Sequence, residues 1–455
     1  MHDDHSPAAP VSEWTEFIAA NPDITGLDAF IIDVNGHALG KRVPIADAPK
    51  VFADGVQFSA CAPIADARGL GHNVQGMGGS DGDPDATARP VQGTLCRAPW
   101  TVAPTAQVLC HMRDVESQQP LWFDPRVILA GVIGQCRAAG VHPVVACELE
   151  FYLLDPLRSA DGGIALAAPG AHAGVPRRAA NLSLEAVETN AAFLNRVDAA
   201  AAAQGVPVCG AVAEYGIGQF EVNLRHVSDP LQAADDAVLL KRIVKGVAQS
   251  MGMQATFMAK PFVEQPGSGL HVHVSVVDER GVNRFGAPGG ESLMQQAIAG
   301  MQALMFDSVG LCAPNLNSHR RFLGPFVPTT LDWGHNNRSV AFRVPAALGS
   351  ARRIEHRVAG ADASPHLVVA CVLASVLHGI THELQATKPV EGRVKTPAKH
   401  DFPVGLLAAL ARTEQSALLA RYLPQEFLRL YVELKQKEYA AAMEQVFPVE
   451  YDFYL

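Results

Sequence analysis

The spacing of apolar and polar positions divides the chain into two kinds of segment. Residues 12–21 carry apolar positions at helical spacing and predict a short helix behind an N-terminal tail. The run Ala29-Phe30-Ile31-Ile32-Asp33-Val34 ends at Asn35-Gly36, a pair that favours a tight hairpin turn, with residues 40–44 as the returning strand. Residues 78–85 are rich in Gly, Asp and Pro and predict a loop; strands are expected near 93–95 and 106–112. Past residue 120 helices and strands alternate. Asp124-Pro125 opens an apolar-periodic helix that reaches Ala139 and stops at Gly140. Residues 144–154 read as a strand, and 184–204, 230–251, 292–310 and 364–382 as helices. The stretch 404–447 is helical, with Lys435, Lys437 and Glu438 on an exposed face.

Length adds a division. At ~150 residues per domain, 455 residues predict two or three domains. The change of pattern between 112 and 122 separates a tail and helix (1–20) and a small β-rich domain (21–115) from a larger domain (120–455). Apolar residues at 48% and charged residues at 18% exclude a mostly disordered chain. Acids outnumber bases 46 to 36, and a net charge of -10 argues against a dominant nucleic-acid role, which needs a basic surface. None of the 8 cysteines forms a CxxC pair, so a zinc knuckle is not expected and reduced thiols are. The acidic N-terminus lacks an apolar signal core, and no run approaches the roughly 20 apolar residues of a membrane span, so a cytoplasmic protein is expected.

Chemistry concentrates in the larger part. In Cys147-Glu148-Leu149-Glu150-Phe151, strand alternation turns Glu148 and Glu150 to one face and Leu149 and Phe151 to the other. Two carboxylates on one face repel each other unless a cation sits between them or the strand faces water. Glu214 and Glu221 bracket a Gly-rich reversal that could bring both toward one point. In Gly267-Ser268-Gly269-Leu270-His271-Val272-His273-Val274-Ser275, His271, His273 and Ser275 share a face beside a Gly-rich loop, which suits a metal or phosphate. It lacks the length and Lys of a Walker loop. Arg338 and Arg343 precede Arg353-Ile354-Glu355-His356-Arg357, whose Arg353, Glu355 and Arg357 line one face, and Arg321 lies upstream. Guanidinium forks of this kind hold phosphates and carboxylates. Five acids and a His with several Arg are the equipment of metal-dependent phosphoryl transfer from ATP, with Mg²⁺ or Mn²⁺ as the hard cation.

These motifs, in this order and over nearly the whole chain, resemble the glutamine synthetase family. The resemblance implies an α+β fold: a β-grasp N-terminal domain and a catalytic domain with a curved antiparallel sheet flanked by helices. It implies a homo-oligomer, a dodecamer of two hexameric rings, with active sites between adjacent subunits. It matches Glu150, Glu214 and Glu221 to one metal ion, and Glu148, His271 and Glu355 to another. Arg338, Arg343 and Arg353 match phosphate clamps, with Arg338, Arg343 and Glu355 the catalytic candidates. His273 and Ser275 match ATP contacts, and Gly267, Arg321 and Arg357 match residues that hold glutamate. All six matched metal-ligand positions are kept, whereas a non-catalytic member would be expected to have lost some.

The departures bear on the substrate. Ammonia-using members place an acid where Ser59 falls and another where Val327 falls. Pro266 and Ile217 also replace residues usual in the family, an Asn and a Pro. Losing both acids makes the amine position more neutral and roomier. The expected reaction therefore joins glutamate to putrescine or another polyamine, through a γ-glutamyl phosphate. A monoamine ligase and an ammonia-dependent glutamine synthetase are the alternatives. His335 is a candidate base for the amine, by position alone.

Overall fold

The computed structural model describes residues 9–159, 162–167, 181–324, 326–394 and 401–455. The first part of the expected tail and Pro325 lie outside them. Helix Val11–Ala20 precedes a six-stranded sheet in which Gly26–Ile32 pairs antiparallel with Ala38–Pro44 and parallel with Thr105–Arg113. The hairpin forms at Asn35-Gly36 as expected. The Asp33 carboxylate accepts from the backbone N–H of Asn35 (2.9 Å) and of His37 (2.7 Å), which locks the turn. Asp85–Pro90, Val56–Ser59 and Cys96–Arg97 complete this sheet. The strand expected near 93–95 is a turn instead, because Gly93 takes a positive φ of 80°.

The second sheet has eight strands. Its order is Trp333–His335, Phe342–Val344, Ile354–His356, Leu270–Val277, His142–Leu154, Gln219–Leu224, Val208–Ala213, with Gln254–Thr256 against the far end of His142–Leu154. All pairs are antiparallel except the first. Strand His142–Leu154 therefore lies inside the sheet and is no solvent-facing edge. Its apolar face, Leu149 and Phe151, is fully buried, as are Val272 and Val274 on the neighbouring strand. Helix Pro230–Ser250 packs on this sheet, and the almost wholly apolar helix Pro365–Thr381 is buried along nearly its full length. No helix among the described residues is long and apolar enough to cross a membrane.

Three helix expectations change. The 184–204 segment breaks at Asn190 into Leu184–Thr189 and Ala191–Ala203, where the Asn190 side chain bonds back to the Ala186 carbonyl at 2.9 Å. The 292–310 helix spans Gly290–Leu304, with Val309–Cys312 separate. In the C-terminal helix Gln425–Met443, Lys435 is fully buried rather than exposed. Its ammonium donates to Asn35 Oδ1 (2.6 Å), Asn315 Oδ1 (3.2 Å) and Glu438 Oε2 (3.1 Å), so it ties this helix to the first hairpin. The eight cysteines are free, and all but Cys96 and Cys209 are buried.

Candidate active site

Strand register assembles the site. Residues directly opposite each other in a sheet share a face. His271 pairs with Glu148, Glu150 with Glu221, and Glu355 with both His273 and Arg343. One polar face thus collects side chains from five strands. Glu214 reaches it from the turn before Gln219–Leu224, where its N–H donates to the Gln219 carbonyl at 2.9 Å. A cavity of about 720 Å³ lies over this face. Glu148, Glu150, Glu214, Glu221, His271, His273, Glu355, Gly267, Arg321, Arg338, Arg343, Arg353 and Arg357 all line it. Ser275 does not. It lines an adjoining hollow of about 660 Å³ that shares Arg353 with the first.

The ligand atoms of Glu148, His271 and Glu355 lie within 4.8 Å of one another, as the resemblance implies. The second such group is Glu150, Glu221 and His271; Glu214 lines the cavity outside it. Electrostatics tests whether a cation fits. Burial, then repulsion from Glu148, Glu150 and Glu214, raises the Glu221 carboxyl to about 9. Burial and Glu150 raise Glu214 to about 7. This acid set thus cannot ionise fully by itself near neutral pH. Oxygen-rich donors with one imidazole, crowded enough to hold protons, fit hard divalent cations. Glu148 behaves differently: burial opposes its charge, but His273, at 2.7 Å, and His271, at 3.5 Å, hold it well below the carboxylate range.

Arginines face these acids. Arg343 Nη1 donates to Glu355 Oε2 at 2.7 Å, and Arg357 Nη1 donates to Glu355 Oε1. Arg353 Nε donates to His273 Nδ1 at 3.0 Å. Arg321 is only 4% exposed and donates to the Val358 carbonyl at 2.8 Å. It packs against Gly267, where a Cβ would sit 2.6 Å from the Ala259 carbonyl oxygen and 2.7 Å from Arg321 Cγ. Gly267 is therefore required by close approach. The Gly269 N–H donates to Glu150 Oε2 at 2.7 Å and joins this loop to the acids.

Two expected positions behave differently from the rest. Val327 lines the cavity, but Ser59, at the end of a strand of the first sheet, does not; its hydroxyl donates to Asp83 in the loop before Asp85–Pro90. His335 also lies off the cavity lining, with Nε2 3.9 Å from Glu291 Oε1. Sequence reasoning missed Gln219, which donates to the Gly267 carbonyl at 3.1 Å, and Tyr152, whose hydroxyl donates to the Pro266 carbonyl at 2.7 Å. Strand parity with Glu221 and Glu150 was the signal for both. It also missed Tyr215 and Phe326, which stack at 4.8 Å on the cavity wall. No local pattern announces a contact between residues so far apart in the chain.

Comparison with known proteins agrees with this geometry. The profile described as glutamine synthetase, catalytic domain, matches residues 123–454. A gamma-glutamylputrescine synthetase of Escherichia coli K12 is 39% identical over 437 residues, covering 95% of this chain and 92% of the relative. A glutamate–isopropylamine ligase of a Pseudomonas species is 31% identical over 421 residues, 89% of each chain. The solved structure titled "Apo GmaS without ligand" superposes with a TM-score of 0.80 at 24% identity, over 95% of this chain and 97% of that one, which shows the shared fold.

Proposed function

The chain belongs to the glutamine synthetase family, and we propose that it joins the γ-carboxylate of glutamate to an amine at the expense of ATP. The observation that carries this reading is one cavity holding two acidic donor groups opposite five arginines, with the apolar Val327 on its wall. We assign the amine as putrescine or another polyamine, because the relative with the higher identity is named for putrescine and Val327 adds no charge to repel or trap small ammonium.

A carboxylate does not accept an amine directly, since hydroxide is a poor leaving group. ATP first phosphorylates the γ-carboxylate, and the amine then displaces phosphate. Arg321 and Arg357 hold the glutamate carboxylates beside the Gly267 carbonyl. Arg338, Arg343 and Arg353 hold the phosphates and stabilise charge that builds on the transferring oxygens. His273 and Ser275 reach toward the nucleotide. Glu148, His271 and Glu355, and Glu150, Glu214 and Glu221, would hold Mg²⁺ or Mn²⁺, which would supply Lewis-acid stabilisation of the same oxygens. The amine arrives protonated, with a pKa of roughly 10, so the cavity's carboxylates attract it before its proton is lost. We also read the protein as a cytoplasmic homo-oligomer of two hexameric rings, each chain a β-grasp domain at 21–115 and a catalytic domain at 120–455. The place of Ser59 outside its own chain's cavity supports sites shared between subunits.

Coupled ADP release with glutamate and a panel of amines tests the assignment. Putrescine and longer polyamines should give the highest kcat/KM, isopropylamine and ethanolamine less, and ammonium the least. Turnover with ammonium but with no organic amine would overturn it. Val327→Glu should shift the ratio of ammonium to putrescine kcat/KM toward ammonium by roughly tenfold, the scale of one charged contact. An unchanged ratio would remove Val327 as a discriminator.

A further inference from the structure

A second cavity, of about 490 Å³, lies where helix Pro230–Ser250 meets the first hairpin. Lys241, Arg242 and Lys245 bring three cations to its wall, with His37, Trp100 and Asp362. Lys241 is only 7% exposed, and its ammonium donates to a neutral partner, the Ala363 carbonyl, at 2.9 Å. A buried cation is normally paired with an anion. The nearby acids offset only part of this charge. Asp33 is spent on its own hairpin, and Asp28 lies 3.5 Å from Arg242. Asp362, on the cavity wall, accepts from Asn315 (2.8 Å) and Ser318 (2.6 Å) through Oδ2 while its Oδ1 makes no hydrogen bond, so three cations face fewer free carboxylates. Burial, with Lys245 acting the same way, draws the Lys241 amine down to about 7. A bound anion would reverse that pull. The cavity also has an aromatic wall. A Cβ at Gly246 would sit 2.6 Å from the Trp100 ring, so glycine there lets the indole lie flat on the helix. Arg242 is stacked 5.6 Å from the same ring.

Segments that hold the loop assigned to glutamate also line this cavity. Thr256 to Met258 line one part of it, and Ala361 and Asp362 another. Ser268, between Gly267 and Gly269, is held by both segments. Its N–H donates to the Ala259 carbonyl at 2.8 Å, and its carbonyl accepts from the Ala361 N–H at 3.0 Å. Lys241 holds Ala363, two residues further along.

We propose that this cavity is an effector site for a small dianion, a dicarboxylate or a phosphate monoester, seated on Lys241, Arg242 and Lys245 against Trp100. Occupancy, acting through Lys241 and the segments that clamp Ser268, changes the affinity of the Gly267 loop for the acidic substrate. The second statement rests on the glutamate-ligase reading; the first does not.

Titration calorimetry of the full chain with succinate and, separately, inorganic phosphate tests the site without turnover. At least one should bind wild type. Lys245→Ala should weaken that binding by roughly tenfold, and Lys241→Met by at least as much, as loss of a charged partner does. Arg338→Ala, at the active site, should leave it unchanged. Binding of succinate alone assigns a dicarboxylate, and of phosphate alone a phosphate monoester. Binding of neither, binding unchanged in Lys245→Ala, or binding lost in Arg338→Ala overturns the site. If Lys241→Met does not fold, Lys245→Ala decides. For the coupling, a saturating probe should move the KM for glutamate by about threefold or more in wild type and not in Lys245→Ala. No shift, or a shift that survives Lys245→Ala, overturns the coupling. A chain that fails to turn over glutamate still gives a calorimetric answer on the site.

Discussion

Glu355→Gln should lower ADP release by roughly 10²–10³-fold, the usual cost of removing one electrostatic element from a preorganised site, while the melting temperature stays within about 5 °C of wild type. Glu355 is 1% exposed and central to the cavity. One carboxylate oxygen faces Arg343 at 2.7 Å, the other accepts from Arg357, and His271 Nδ1 lies 3.9 Å away. Burial opposes its charge, but Arg357, His271 and His273 outweigh it and hold the carboxyl at about 2. The amide keeps the size and one acceptor and loses the charge. Glu355→Ala would also strand Arg343 and Arg357, so its loss of activity would mix chemistry with folding. Normal ADP release by Glu355→Gln would sink the assignment of the Glu148, His271 and Glu355 group as a metal site.

The second large effect concerns stability, away from the cavity. Asp235→Ala should destabilise the protein by about 3–5 kcal/mol, the cost of breaking a buried charge pair from one side. Asp235 binds Arg126 through two hydrogen bonds of 2.9 Å and His366 through one of 2.8 Å. These residues stand on helices Pro230–Ser250, Pro125–Ala138 and Pro365–Thr381, so one carboxylate joins three helices. All three side chains are buried, and Arg126 would be left without this partner. The denaturation midpoint of the variant measures the loss; a midpoint equal to that of wild type would show that the network contributes little. The same carboxylate makes wild type sensitive to acid. Burial opposes its charge, yet Arg126 and His366 hold it at about 2, below the ordinary value near 4. Its contribution is complete above the unfolded pKa and declines as pH falls from about 4 toward 2.

Much of the site was legible because strand parity is a local property. A period of two placed Glu148 with Glu150, His271 with His273, and Glu355 with Arg353 and Arg357; the register puts the first four on the face that Glu355 shares, and Arg353 and Arg357 line the same cavity from just outside the paired strand. The same rule would have added Tyr152 and Gln219 had it been carried two residues further. Hairpin chemistry at Asn35-Gly36 and the Asp124-Pro125 helix start are equally local, and both hold in the structure.

Other features depended on what each segment meets. Lys435 has the sequence context of a solvated helix face, but its ammonium is buried because Asn35 and Asn315, 400 and 120 residues away, supply acceptors for it. Glu150 meets Glu221 and His271 because pairing register sets which ligand atoms meet, and register is a property of two strands, whereas Glu214 reaches the same cavity from a turn that register does not place. Val327 reaches the cavity and Ser59 does not, although sequence comparison treats them alike. The sequence by itself therefore determined which side chains share a face and which chemistry they carry. Tertiary structure alone decided which faces meet, which charges find partners, and where a cation such as Lys241 is left buried beside a neutral carbonyl, since burial and pairing are settled between segments far apart along the chain.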